Sequence, residues 1–233
     1  FYVKEYAMSK ILIVEDDPEI IELIGFYLRH NPDYRLKSAS NAVQALDILE
    51  NDTFDLILLD IMLPGIDGVD LCAQLRRNTF CPIIFISSLD DETTIVKALN
   101  MGGDDYIVKP FTSSILIARM EANLRRASRM AVREAAVISI GDLSLDCGSH
   151  TVTKGRRKIY LTPTEFEILY YMMLHKGEIL EMEAIYYFVW HKPSCGDVRT
   201  ISVHVSNLRK KIEDNPNNPI HIKTVRRLGY RFD

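Results

Sequence analysis

Five times in succession, a short strand-like run, apolar except at 34–39, is followed by a segment with helical spacing, and no other feature constrains the fold of this chain as tightly. The runs fall at 11–14, 34–39, 56–59, 83–86 and 106–108. The helical segments fall at 18–29, 42–51, 68–77, 92–101 and 113–127. Runs without polar alternation suit strands buried on both faces, and strands that alternate with helices form parallel sheets covered on each side. The pattern predicts a doubly wound α/β domain of five βα units. In such sheets ligands bind beyond the carboxyl ends of the strands, so the residues at those ends are the first candidates for chemistry.

Those ends are polar. Glu15, Asp16 and Asp17 follow the first run, Asp60 the third, Ser87 and Ser88 the fourth, and Lys109 the fifth. Asp17, followed by Pro18 and Glu19, is explained as a helix cap with proline at the first helical position. Glu15, Asp16 and Asp60 have no such explanation. Three converging carboxylates repel and raise one another's pKa unless a cation neutralises them, and oxygen ligands without His or Cys suit Mg²⁺ with retained waters. Lys109 adds a second positive charge. With the Ser87 hydroxyl, the set can bind or accept a phosphoryl group. The bland alternative, strand-end acids solvated in loops, does not account for the joint pattern.

Charge divides the chain in two. Residues 137–233 carry 14 Lys/Arg against 11 Asp/Glu, a net +3, so the total of −4 leaves −7 for residues 1–136. We expect domains at 8–127 and 137–233 joined by a linker at 128–136. Residues 1–7, FYVKEYA, precede MSKILIVEDD, which reads as a natural start, and no function is assigned to them. No apolar run approaches the ~20 residues of a membrane span, so no membrane partner and a cytoplasmic location are expected. Cys72, Cys81, Cys147 and Cys195 are widely spaced, which argues against a disulfide framework or a zinc site.

The basic half begins with short strand-like pieces (ISIGDLSLD, HTVTKG, RKIYL) that suit a small antiparallel sheet. In LTPTEFEILYYMMLHKG, Thr162 is a helix cap, Pro163 opens the first turn, Glu165 stands at capping-box spacing and Gly177 ends the pattern. Helices follow at 182–190 and 198–213, then HIKTVRRLGYRF as two strands about a turn. Three helices and a basic terminal hairpin outline a winged helix, an α+β fold. On the third helix, Val198, Ile201, Val205, Leu208 and Ile212 form one apolar stripe, with Arg199, Thr200, Val203, Ser206, Asn207 and Lys210 opposite. Arg and Lys suit phosphates, Asn can pair with adenine, and an exposed valine can pack on a thymine methyl. A merely solvated basic face leaves Val203 unexplained. Arg226, Arg227 and Arg231 continue the positive charge in the hairpin.

VEDDPE, LLDIMLPGIDG, PIIFISS and GGDDYIVKPF resemble the four signatures of a bacterial response-regulator receiver domain, with its flavodoxin-like (βα)5 fold. VRTISVHVSNLRKKIE and TVRRLGYRF resemble the winged helix-turn-helix of OmpR/PhoB-type transcription factors. The first resemblance implies that Asp60 accepts a phosphoryl group from a sensor histidine kinase. Glu15, Asp16, Asp60 and the Met62 carbonyl would arrange Mg²⁺, and Ser87, Tyr106 and Lys109 would act as switch hydroxyl, switch aromatic and phosphate-pairing cation. It also implies a cis Lys109–Pro110 bond, no enzyme activity beyond self-catalysed phosphotransfer and dephosphorylation, and a homodimer through a face carrying Lys97, Asp104, Asp105, Ile115 and Arg119. The second implies that the protein regulates transcription by binding double-stranded promoter DNA, with RNA polymerase a further partner. Thr200, Ser202, Val203, Ser206 and Asn207 would face bases, Arg199, His204, Arg209 and Lys210 phosphates, and Arg226 the minor groove.

Several positions depart from the family pattern. Ile115 and Glu121 stand where an acid and a base are usual, Asn207 where a base is common, and Arg227 where the wing has glycine. Leu180-Glu181-Met182-Glu183 replaces a Ser/Thr cap followed by Arg. A phosphatase of the haloacid dehalogenase type would place a second Asp where Met62 stands. A receiver acting only through protein contacts would leave the basic half unexplained.

Overall fold

The computed structural model describes residues 8–29, 31–77, 79–132, 137–190 and 199–233, without the side chains of residues 126–132 and 199. Five strands, β1 (Ser9–Val14), β2 (Tyr34–Ala39), β3 (Leu56–Leu59), β4 (Ile83–Ser87) and β5 (Asp105–Val108), alternate with α1 (Pro18–Leu28), α2 (Ala42–Asn51), α3 (Gly68–Leu75), α4 (Glu92–Asn100) and α5 (Ser113–Val132). The sheet order is β2-β1-β3-β4-β5, parallel throughout. Successive side chains of each strand point to opposite faces. Leu12, Val14, Ile57, Leu59, Ile83 and Phe85 pack with Ala45 of α2, Val69 and Cys72 of α3 and Ala98 of α4. Ile11, Ile13, Leu56, Leu58, Ile84 and Ile86 pack with Ile24 of α1 and Leu116 and Met120 of α5 on the other face. This double burial is why β3, and β4 as far as Ile86, are continuously apolar.

The order reverses between β1 and β3, and chain reversal at that point opens the crevice where Glu15 and Asp60 emerge. Asp17 caps α1 by accepting the Glu19 N–H at 2.8 Å, as its pairing with Pro18 predicts.

Compact packing divides the chain into two units, residues 1–124 and 125–233. Helix α5 continues to Val132, so residues 128–132 of the expected linker are helical, while 133–136 lie outside the described residues. After the end of α5, the second unit has an antiparallel sheet, β6 (Val137–Ile140), β7 (Leu143–Asp146), β8 (Thr151–Lys154) and β9 (Arg157–Ile159), in sequence order. Then come α6 (Pro163–Leu174), β10 (Ile179–Leu180), α7 (Met182–Trp190), α8 (Arg199–Ile212), and a hairpin of β11 (Ile222–Val225) and β12 (Gly229–Phe232). The capping box expected at α6 is present: the Thr162 hydroxyl accepts the Glu165 N–H at 3.2 Å and the Glu165 carboxylate accepts the Thr162 N–H at 2.8 Å. Ile201, Val205, Leu208 and Ile212 are buried as the apolar stripe of α8 predicts. Val198 lies outside the described residues. Strand β12 pairs with both β10 and β11, and Gly229 is required there because a Cβ would stand 2.1 Å from the Leu180 carbonyl oxygen.

Candidate phosphoacceptor site and nucleic-acid interface

The carboxyl ends of β1, β3, β4 and β5 bring one acid-rich cluster together. Glu15 and Asp60 are buried and Asp16 is exposed, and one carboxylate oxygen of each lies within 4.8 Å of the other two. The Lys109 ammonium bridges two of them, 2.7 Å from Asp60 Oδ2 and 2.7 Å from Glu15 Oε2. The other oxygen of Asp60 accepts the Met62 N–H at 3.0 Å. Gly68 holds the start of α3 against this strand end: its N–H donates to the Ile61 carbonyl at 2.8 Å, and a Cβ there would stand 1.9 Å from the Asp60 carbonyl oxygen. The Lys109–Pro110 bond is cis.

Electrostatics reinforce the picture. Burial pushes the Glu15 carboxyl up to about 7, with the Asp60 charge adding to the rise and the Lys109 hydrogen bond opposing it. Burial pulls Lys109 down, but hydrogen bonds to Asp60 and Glu15 outweigh it and hold the ammonium above its ordinary value. Three carboxylates face one ammonium, an excess of negative charge made only of hard oxygen donors, which is the donor set a hard divalent cation takes. Ser87 is buried at the end of β4, its hydroxyl 3.5 Å from the Leu89 N–H. Tyr106 is buried with its hydroxyl donating to the Leu89 carbonyl at 2.7 Å, and burial pushes that phenol up to about 12. Burial likewise lifts the Cys72 and Cys81 thiols to about 12, which keeps them protonated and poor metal ligands.

Of the expected dimer-face residues, Asp104 and Asp105 are buried within the chain. Asp104 pairs with Arg76 and accepts the Ile83 N–H at 3.0 Å, while Asp105 pairs with Arg119 at 2.8 Å. A buried carboxylate is costly unless paired, and each has an arginine, while Oδ2 of Asp105 accepts no hydrogen bond from the described residues. Lys97 lies 3.5 Å from Asp67 on the surface, and Ile115 is 49% exposed.

The helical wheel of α8 needs correction. Thr200, Asn207 and His204 retain only 7%, 4% and 0% of their surface, and Val203 is half-buried. The wheel assumes one narrow apolar stripe, whereas α8 is covered along a wide arc. The Trp190 ring of α7 stands 6.3 Å from the His204 ring, and Lys211 reaches Glu165 of α6 at 2.5 Å. A fully buried imidazole presents no donor to a phosphate, so the phosphate role expected of His204 is withdrawn. Arg209 is also engaged internally, donating to the Ile222 carbonyl at 2.9 and 2.7 Å and to the Thr224 hydroxyl at 2.9 Å. Ser202, Ser206, Lys210 and Arg226 are exposed, and the side chain of Arg199 lies outside the described residues. One organising residue was missed: Glu213 accepts the N–H groups of Ile220, His221 and Ile222 at 3.0, 3.0 and 2.9 Å. Its place at the end of a basic helix gives no sequence signal for three backbone partners.

Residues 11–121 match the family described as response regulator receiver domain, and residues 156–232 match transcriptional regulatory protein, C terminal. The chain is 38% identical over 97% of its length, and 97% of the relative's, to the alkaline phosphatase synthesis transcriptional regulatory protein PhoP of Bacillus subtilis. The chain belongs to the OmpR/PhoB family of response regulators. The sensory transduction protein RegX3 of Mycolicibacterium smegmatis is 37% identical over 97% of this chain and 100% of its own. Among solved structures, DrrB of Thermotoga maritima, an OmpR/PhoB homologue, shares 30% identity over 97% of this chain and 99% of its own at a TM-score of 0.50. A mutant of RitR shares 25% identity over the same proportions at a TM-score of 0.80. The regulator thus combines a receiver with a DNA-binding output domain, serves a two-component system as a transcriptional regulator, and is not a conventional enzyme. Among its described residues no helix is long and apolar enough to cross a membrane.

Proposed function

We propose that Asp60 is the phosphoryl acceptor of this regulator and that a sensor histidine kinase's phosphohistidine is the donor. The observation that carries the reading is Lys109, held 2.7 Å from both Asp60 and Glu15 at the carboxyl edge of the sheet. An Asp60 oxygen attacks phosphorus as the bond to the histidine nitrogen breaks, and the Lys109 ammonium, already beside that oxygen, pairs with the phosphoryl oxygens. The Ser87 hydroxyl donates to a second oxygen, and Tyr106 follows the change in β4. Glu15, Asp16, Asp60 and the Met62 carbonyl would hold Mg²⁺, whose contribution is to offset the negative charge shared by carboxylates and phosphoryl group. The same constellation supports slow self-catalysed dephosphorylation. Incubation with a small acyl phosphate should label the chain when Mg²⁺ is present, fall to background with a chelator, and recover when Mg²⁺ is returned. Labelling indifferent to the chelator would overturn the cation's part.

The output face is assigned to Ser202, Val203, Ser206 and Lys210 of α8, with Arg199 before them and Arg226 in the wing, on promoter DNA in the cytoplasm. Thr200, Asn207 and Arg209 then position the helix, and RNA polymerase is the partner through which binding alters transcription. The phosphorylated chain pairs through the receiver. With Asp104 and Asp105 closed on their own arginines, exposed Met101, Val108 and Ile115 contribute more to this face than charge does. An exposed ion pair contributes only ~0–1 kcal/mol, less than a fully buried isoleucine. By sedimentation equilibrium of the phosphorylated chain, Ile115→Glu should weaken association about tenfold, and raising the salt should change the wild-type constant little. A constant that falls steeply with salt, or that ignores Ile115→Glu, would overturn the apolar face.

A further inference from the structure

The wing turns at Val225–Leu228, closed by the Leu228 N–H donating to the Val225 carbonyl at 3.0 Å. Arg227 is the third residue of that turn and takes φ 66°, while Arg226 before it stays at negative φ. This is the backbone sign of a type II turn, whose third position strongly favours Gly or Asn because a Cβ in the left-handed region crowds the following carbonyl. An arginine there costs the fold stability, so what the side chain gives in return matters. Within the fold it gives nothing visible: Arg227 is exposed and has no hydrogen bond or ion pair to the described residues. The other bases of the hairpin differ. Lys223 and Arg231 both close on Asp233, each at 2.6 Å. Among the described residues, Arg226 and Arg227 are the two bases of the hairpin without a partner, and beside them Leu228 is 53% exposed. Backbone strain that the chain's own packing does not use is a pointer to a contact outside the chain.

We propose that Arg227 is a second DNA-reading arginine of the wing, entering the minor groove with Arg226 and favouring A·T-rich sequence, where the groove is narrow and its potential most negative. The inference rests on the winged-helix reading above. Two guanidiniums at one turn tip present a concentrated positive charge to a groove too narrow for a helix, and Arg is the side chain that such grooves attract.

The test uses the full chain and a duplex that it enriches from a randomised pool. Arg227→Gly and Arg227→Asn both suit the turn, so both should melt at or above the wild-type temperature while binding the duplex about tenfold more weakly, with a flatter dependence of log K on log salt by about one contact. Arg227→Lys should keep the salt slope but lose discrimination between A·T and G·C pairs under the wing. Affinity of Arg227→Gly within twofold of wild type, with an unchanged slope, would overturn the proposal. Failure of the underlying reading looks different: the wild-type chain would then bind no duplex in a salt-dependent manner, and Lys210→Ala would change nothing, whatever stands at 227.

Discussion

An Asp60→Asn chain takes up no phosphoryl group from an acyl phosphate under conditions that label the wild type. The change is nearly isosteric, and the amide oxygen can still accept the Met62 N–H now held at 3.0 Å. What disappears is the anion. A neutral amide is a poor nucleophile toward phosphorus, and Lys109 loses one of its two partners while keeping Glu15 at 2.7 Å. Charge at the site shifts by one unit in a buried setting, so some change in stability accompanies the loss, but the alternating core of the receiver is untouched. Intact-mass measurement after incubation with donor and Mg²⁺ reads the result, and far-UV circular dichroism checks that the fold persists. Labelling that survives in this variant would move the acceptor to Glu15 or Asp16.

Much of this molecule is legible in its sequence, for reasons that differ along the chain. Continuous apolar runs identify β1, β3 and β4 because both faces of the sheet are covered, and strand-end polarity follows because the chain leaves the core there. Helix α7 spans 182–190 as expected, and α6 starts at Pro163 under a capping box, since local hydrogen bonding fixes both the residue types and their spacing. The carboxylates and Lys109 meet because parallel topology places all strand ends on one edge. The wheel of α8 is less informative. It ranks positions by polarity, and Thr200 and Asn207 are polar yet buried. The arginine partners of Asp104 and Asp105 are not legible locally either, because Arg76 and Arg119 lie 28 and 14 residues away. Arg227 is the opposite case, where an unusual residue in a recognisable turn signals strain that only the backbone angle reveals.

The second large effect belongs to Glu213, whose loss should unfold the output domain before it alters any DNA contact. Only 5% exposed, its carboxylate gathers three successive N–H groups, Ile220 to Ile222, and so ties the end of α8 to the start of β11. The same junction is closed from the helix side by Arg209, which donates twice to the Ile222 carbonyl while its guanidinium lies 5.7 Å from the Tyr230 ring centre. Truncation to alanine strands three backbone donors in a largely dry position. At ~1–3 kcal/mol for each donor left unsatisfied, and allowing water to reach the outermost, Glu213→Ala costs about 3–5 kcal/mol. Glu213→Gln costs less, about 1–3 kcal/mol, because the amide oxygen still accepts while its NH₂ turns a donor toward donors. Trp190 is the single tryptophan and is fully buried in this unit, so its fluorescence during urea unfolding reports the output domain without contribution from the receiver. The order wild type, Glu213→Gln, Glu213→Ala in midpoint is the expected result. An alanine variant within about 1 kcal/mol of wild type would mean that water or a neighbouring acceptor replaces the carboxylate, and that Arg209 alone holds α8 to the wing.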